Sequence, residues 1–295
     1  MTIVSRTEDL EILLTVIDSG SLSAAARILD IQVAKVSRAV SRLEKDLDCT
    51  LLNRTTRKLE LTEEGRIFTE QVRNGLHQLA AAEENIRTLK GIPAGRLRVD
   101  AATPFILHQL VPLVPGFRAR YPQIELELVA NENIIDLIER RTDLAIRIGP
   151  LQDSNLHARF LGRSPLHVVA APAYLEAYGT PEHPDALRRH QIIGFADAAH
   201  LNRWPLSTPV DLDTSLSSSS GETIRQLCLA GQGLALLSEF MIRDDLAEGR
   251  LVKVLEKQMI SPNDRELVHA VYYRNTTLSS RITAFLDYIR PRLKL

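Results

Sequence analysis

The chain has 295 residues, 44% hydrophobic and 25% charged, an ordinary globular composition and enough material for two or more folding units. No stretch offers the ~18 consecutive apolar residues of a membrane span, and the start passes into Glu8, Asp9 and Glu11 without the apolar core of an export signal. A net charge of -1 excludes a global attraction to nucleic acid, so any basic footprint has to be local.

These features lead to the expectation of a cytoplasmic protein. Its two cysteines, Cys49 and Cys228, lie in distant segments and make neither a disulfide framework nor a metal site.

From Glu8, the apolar residues Leu10, Leu13, Leu14 and Ile17 recur at helical spacing, and Ser19-Gly20 ends the run. Ser21 or Ser23 can cap a second, alanine-rich helix that closes near Asp30. A third helix carries Val36, Val40, Leu43 and Leu47 on one stripe and Lys35, Arg38 and Arg42 on the other side. Two short extended runs, 50–52 and 59–61, then enclose a basic tip that reads as a wing. Between Lys35 and Lys58 the cations Lys35, Arg38, Arg42, Lys45, Arg54, Arg57 and Lys58 outnumber Glu44, Asp46 and Asp48. On such a unit the wing grips phosphates and the exposed helix face reaches base edges.

Ser21-Leu22-Ser23-Ala24-Ala25-Ala26-Arg27, Val36-Ser37-Arg38 with Leu43-Glu44, Leu51-Leu52-Asn53-Arg54-Thr55-Thr56-Arg57, and Leu59-Glu60-Leu61-Thr62-Glu63-Glu64-Gly65 follow one another in order. Together they closely resemble the DNA-binding signature of LysR-type transcriptional regulators. The resemblance implies a winged helix-turn-helix over 1–61, with Ser23, Gln32, Ala34, Lys35, Ser37, Arg38 and Arg42 on or beside the recognition helix and Arg54 and Arg57 on the wing. Two departures stand out. Asp48 replaces a usual glycine, a position where Asp tolerates the left-handed conformation, and the helix entry 31–35 differs from the commoner Ser/Pro-containing one.

The segment 62–90 predicts a long helix of ~42 Å at ~1.5 Å per residue. Gly65, Phe68, Val72, Gly75, Leu79, Ala82, Ile86 and Leu89 alternate at three and four residues, the seam of a coiled coil. Phe68, Val72, Leu79 and Ile86 are therefore candidates for dimerisation by helix pairing.

A break at 91–95, rich in Gly and Pro, opens a further domain, 96–295. Strand, helix and strand alternate over 96–101, 112–121, 124–130, 134–141 and 143–149, which predicts an α/β unit with a largely parallel sheet. A second such lobe follows from 165–171 to 234–237, and a late strand (266–273) and helix (279–289) close the chain.

The family resemblance extends through Tyr121-Pro122, 143–149, Gly221-Glu222 and 270–273. It implies two lobes like those of type 2 periplasmic binding proteins, lobe I about 96–164 and 272–295 and lobe II about 165–271. In open α/β sheets ligands lie beyond the carboxyl ends of strands. That rule makes Thr103, Pro104, Arg147, Phe195, Asn202, Trp204, Ser219 and Gly221 candidates for binding a small polar or anionic effector. Local capping at Thr103 and Gly221, an ion pair at Arg147 and core packing at Trp204 are the competing structural readings.

No phosphate loop, nucleophile elbow or metal spacing is present in the sequence, so no catalytic residue and no cofactor is expected. The function implied is transcription regulation by binding double-stranded DNA at an interrupted palindrome, as a homodimer or dimer of dimers, under control of an effector. A solute-binding or enzyme-derived module that uses the helix-turn-helix only for assembly is the alternative.

Overall fold

The computed structural model describes residues 4–54, 59–88, 93–132, 142–151, 156–273 and 279–295. They fall into two units, one built on Met1–Gly91 and one on Ile92–Ile134, Asp143–Arg274 and Ser280–Leu295.

In the first unit, α1 (Thr7–Ser19) ends where Gly20 takes φ 72°, a left-handed turn open to glycine without a Cβ penalty. Helix α2 (Leu22–Ile28) starts on the Ser21 hydroxyl, which accepts the Ala24 N–H at 3.1 Å. Ala25 and Ala26 are small enough to bring α2 close to Ile12, Leu13 and Val16 of α1 and to Val36, Ala39, Val40 and Leu43 of α3 (Val33–Asp46). Asp48 takes φ 49°, the left-handed conformation expected there.

Strands β1 (Leu52–Arg54) and β2 (Leu59–Leu61) pair antiparallel, with Leu52 opposite Leu61. They hang from the helices by Glu44, whose carboxylate accepts the N–H groups of Leu51 and Leu52 at 3.0 and 3.2 Å. The wing tip, 55–58, lies outside the described residues, as does the Arg54 side chain.

Helix α4 (Glu63–Thr88) begins on Thr62, whose hydroxyl accepts the Gly65 N–H at 2.9 Å. The start of the proposed coiled-coil seam has a different role from the expected one. Gly65 is buried against Leu51, Phe68 packs on the helix-turn-helix core, and Arg73 is buried in an ion pair with Asp18 of α1. Helical spacing gives a stripe but does not say what covers it, and here its own domain covers the first two turns. Val72 is half-buried, while Gly75, Leu79 (56% exposed) and Ala82 face outward. The Ile86 side chain is outside the described residues.

The second unit holds two five-stranded sheets. In the first, β3 (Gly95–Ala101) lies parallel to both β4 (Ile124–Ala130) and β5 (Leu144–Ile148). Between β3 and β4 runs a continuous helical segment made of α5 (Thr103–Phe105), a π-type turn (Ile106–Leu110), a 3₁₀ turn (Val111–Leu113) and α6 (Val114–Arg120). Pro104, Pro112 and Pro115 each fall in the first turn of such a piece, where a missing N–H costs least. The helix expected at 134–141 lies outside the described residues.

Strand β6 (Leu156–Arg163) leads into the second sheet, built from β7 (Leu166–Ala170), β8 (Ile192–Phe195), β9 (Leu216–Ser218), β10 (Leu234–Ser238) and β11 (Val252–Val254). Helices α7 (Pro172–Tyr178), α8 (Gly221–Leu229) and α9 (Glu239–Ala247) accompany it. The chain then returns through β12 (Leu267–Tyr273) to the first sheet and ends on α10 (Ser280–Ile289) and a short 3₁₀ turn.

The three strands expected over 96–149 pair parallel as predicted, and each sheet adds one antiparallel strand, β12 between β5 and β6 and β7 between β10 and β11. These strands arrive from the other sheet or from the edge, so no βαβ crossover forces them parallel. One expectation is corrected: the return to the first lobe comes with β12 at Leu267, not at 272. The core of the second sheet gathers Val168, Ala170, Tyr174, Leu187, Ile192, Leu234 and Leu236.

Candidate DNA-binding face and effector site

Val36, Ala39, Val40 and Leu43 turn one face of α3 into the core, and the opposite face carries the candidate DNA-contacting side chains. Gln32, Ala34, Lys35, Arg38 and Arg42 are exposed, and Ser37 is half-buried. Arg38 donates from Nε to the Ala34 carbonyl at 3.1 Å, which sets its side chain along the helix and leaves the ends of the guanidinium outward. Lys35 sits 2.6 Å from Glu8. Arg42 instead grips Asp9 through two hydrogen bonds of 2.7 and 2.6 Å, and this pairing raises its pKa above the ordinary arginine value. Ser23 is exposed on α2, and Arg57 lies outside the described residues. Nothing in the spacing of 9 and 42 announces their pair; it becomes visible only once α1 and α3 are packed.

In the second unit the structure brings part of the expected effector set together. A Cβ placed on Gly221 would lie 3.4 Å from Pro104 Cγ and 3.9 Å from Phe195 Cζ, so a turn of the first lobe and two strand ends of the second converge there. Asn202 belongs to this group through the backbone. Its side-chain oxygen accepts the Phe195 N–H at 2.8 Å and its amide donates to the Phe195 carbonyl at 2.9 Å. Gly194 leaves room for that clamp, since a Cβ there would lie 2.7 Å from Asn202 Oδ1. Thr103 is half-buried beside Pro104, and Ser219 is exposed ahead of Gly221.

Two further candidates are engaged in structural contacts of their own. Trp204 is 8% exposed and packed into the core of the second sheet, so the structural reading holds for it. Arg147 forms an ion pair of 3.3 Å with the fully buried Asp100. Burial lowers the Arg147 pKa and the Asp100 charge opposes that shift.

Sequence reasoning missed a polar bridge between the lobes. His108, from the helical segment after β3, lies 2.7 Å from Glu222, the residue that follows Gly221. Gln109 beside it donates to the Phe240 carbonyl at 3.2 Å. Burial works against the Glu222 carboxylate, but hydrogen bonds from Gln226, His108 and Arg225 outweigh it and hold the pKa below the usual range. A separation of over a hundred positions leaves no local sequence signal for such a contact. Among the described residues no group of three or more His, Cys, Asp or Glu side chains could hold a metal ion, and no helix is long and apolar enough to cross a membrane. The Cys228 thiol is buried and pushed up to about 12, chiefly by burial.

A three-helix winged unit joined to a domain of two mixed α/β sheets is the architecture of a ligand-responsive transcription regulator. Two family models match: the bacterial regulatory helix-turn-helix protein, lysR family, over residues 7–66, and the LysR substrate binding domain over residues 90–294. The chain belongs to the LysR family of transcriptional regulators, with a DNA-binding and an effector-binding domain, and is not an enzyme.

It is 42% identical over 293 residues to the HTH-type transcriptional regulator CrgA of Neisseria meningitidis serogroup C (strain 8013), covering 98% of this chain and 97% of that one. The solved structure of CrgA superposes with a TM-score of 0.66 at 41% identity, covering 99% of this chain and 100% of its own. Full-length AphB, a virulence activator of Vibrio cholerae, gives a TM-score of 0.60 at 27% identity over 98% of this chain and 99% of that one.

Proposed function

We propose that this regulator acts in the cytoplasm as a homodimer or dimer of dimers that reads an interrupted palindrome and changes its promoter contacts when a small polar or anionic molecule enters the cleft. The observation that carries the DNA reading is the two-sided α3, with Val36, Val40 and Leu43 buried and Gln32, Ala34 and Arg38 outward. A two-fold dimer presents two such helices to symmetric half-sites. Pairing along α4 fits the outward stripe of Gly75, Leu79 and Ala82, which leaves Phe68 to the helix-turn-helix core.

Arg38→Ala is expected to weaken binding to the operator by about 1 to 3 kcal/mol and to weaken binding to random DNA far less, whereas Arg57→Ala lowers both and reduces the salt slope by about one phosphate contact. Binding sites mapped across the source genome supply the operator for a fluorescence-anisotropy titration. Equal, salt-dependent losses on both DNAs for Arg38→Ala would remove it from base readout.

The effector reading rests on the convergence of Pro104, Phe195 and Gly221, with the free N–H groups of α8 favouring a negative or polar group nearby. Thr103→Val keeps the side-chain shape but removes the hydroxyl, and should cost roughly 1 to 3 kcal/mol of effector affinity with operator affinity in its absence unchanged. A thermal-shift screen of metabolites identifies the ligand for calorimetric titration. Wild-type affinity in both Thr103→Val and Ser219→Ala would place the site elsewhere.

A further inference from the structure

The first turn of α1 brings two carboxylates to the DNA-facing helix, and the two contacts differ in kind. Glu8 and Lys35 are 63% and 50% exposed and meet through a single 2.6 Å contact, a pair that water and salt exchange readily. Asp9 is 2% exposed, and both of its oxygens are engaged, one by Arg42 Nε at 2.7 Å and the other by Nη2 at 2.6 Å, while Arg42 itself is 41% exposed. This is the two-pronged geometry in which guanidinium binds phosphate. Leaving the pair would strand Asp9 as a buried, uncompensated charge, which keeps Arg42 in place.

We propose that Asp9 acts as an internal substitute for a DNA phosphate, withholding Arg42 from the backbone contacts of the recognition helix and so limiting non-specific DNA affinity. The proposal rests on α3 being the helix that meets DNA. A neutral ion pair displaces no counterions from DNA, so it adds nothing to the salt-dependent, sequence-independent part of binding. On α3, Arg38 and Lys45 are then the exposed cations outside any described ion pair. The helix face keeps the shape needed to read bases while carrying fewer charges that hold any duplex equally well. The ratio of specific to non-specific affinity rises accordingly. Asp9 is thus a specificity-determining residue that need not touch DNA.

The test uses the full-length protein and a fluorescein-labelled random-sequence duplex, titrated by anisotropy over a range of KCl concentrations. Asp9→Asn is expected to steepen the dependence of log K on log [KCl] by about 0.9 for each DNA-bound protomer and to raise affinity for this duplex about five-fold per protomer near physiological salt, the gain of one phosphate contact each. The double variant Asp9→Asn/Arg42→Gln, which keeps an amide pair in place of the ion pair, should return to the wild-type slope. Arg42→Gln alone should leave that slope unchanged, and it decides the matter should Asp9→Asn fail to fold. An unchanged slope in folded Asp9→Asn, or a slope lowered by about 0.9 per DNA-bound protomer in Arg42→Gln or the double variant, overturns the proposal. Arg38→Ala serves as the reference. If it leaves binding to both operator and random DNA untouched, α3 is not the DNA-facing helix and the underlying reading fails; if it weakens binding while the Asp9 and Arg42 variants miss their expected slopes, only the proposal fails.

Discussion

Gly65→Ala is expected to abolish most DNA binding by destabilising the winged unit by about 3 kcal/mol. A Cβ at this position would lie 2.1 Å from the Leu51 carbonyl oxygen and 2.9 Å from its carbon, both backbone atoms of the residue that leads into β1. That oxygen also accepts the Thr62 N–H at 3.0 Å, and the Thr62 hydroxyl caps α4 through Gly65. The methyl group therefore separates α4 from the wing and loosens the cap in the same movement. Thermal unfolding by circular dichroism and anisotropy with operator DNA read the two consequences. Gly75→Ala, in the same helix with nothing within 4 Å, provides the contrast: helix propensity alone favours it by up to ~1 kcal/mol. A loss of stability there would reveal a partner helix approaching Gly75.

The second large effect is expected at Asp245, which is fully buried on α9. Its carboxylate receives Arg225 Nε at 2.6 Å, Arg225 Nη2 at 2.8 Å and Arg250 Nη2 at 2.8 Å. Asp245→Ala removes the main counter-charge of Arg225, which is buried on α8, and one-sided loss of a buried pair costs about 3 to 5 kcal/mol. Glu222, 2.8 Å from Arg225 Nη1, remains as a partial partner and moves the expected cost to the lower end, about 3 kcal/mol. Urea unfolding of the full chain gives the value. A cost under about 1 kcal/mol, the level of an exposed pair, would show that the network contributes little. Because Glu222 also holds His108 across the lobes, the same variant should weaken effector binding more than an equally destabilising change on the far side of the second sheet.

The winged unit was the most legible part of the chain because its signals are local. Ser21 caps, Gly20 turns, the Val36, Val40, Leu43 stripe repeats at helical spacing, and Thr62-Glu63-Glu64-Gly65 ties the wing to α4. The seam on α4 was read from the same kind of signal, yet Phe68 is covered by its own domain. Periodicity reports a face and leaves the neighbour unnamed.

Strand direction was less legible, because β12 and β7 owe their antiparallel pairing to where the chain comes from rather than to their own residues. The meeting of Pro104, Phe195 and Gly221 was accessible through the rule that singles out strand ends in α/β sheets. The bridge from His108 to Glu222, the clamp of Asn202 on Phe195 and the pair of Asp9 with Arg42 depend on tertiary packing, and no spacing in the sequence encodes them.

The second sheet leaves and re-enters the first at neighbouring points. Ser164 donates its N–H to the Glu266 carbonyl at 2.8 Å, and Arg163 donates to the Asn263 carbonyl at 3.0 Å. Topologically, the hundred or so residues between these contacts form an insertion whose two ends are already stapled together, the arrangement that makes domain insertion tolerable. The second lobe could therefore be transplanted from one regulator to another through two adjacent splice points, leaving the strand order of the first sheet, the turn at Thr103 and Pro104 and the helix-turn-helix unchanged. Such a layout lets a lineage diversify the chemical signals it answers to while inheriting one way of touching DNA.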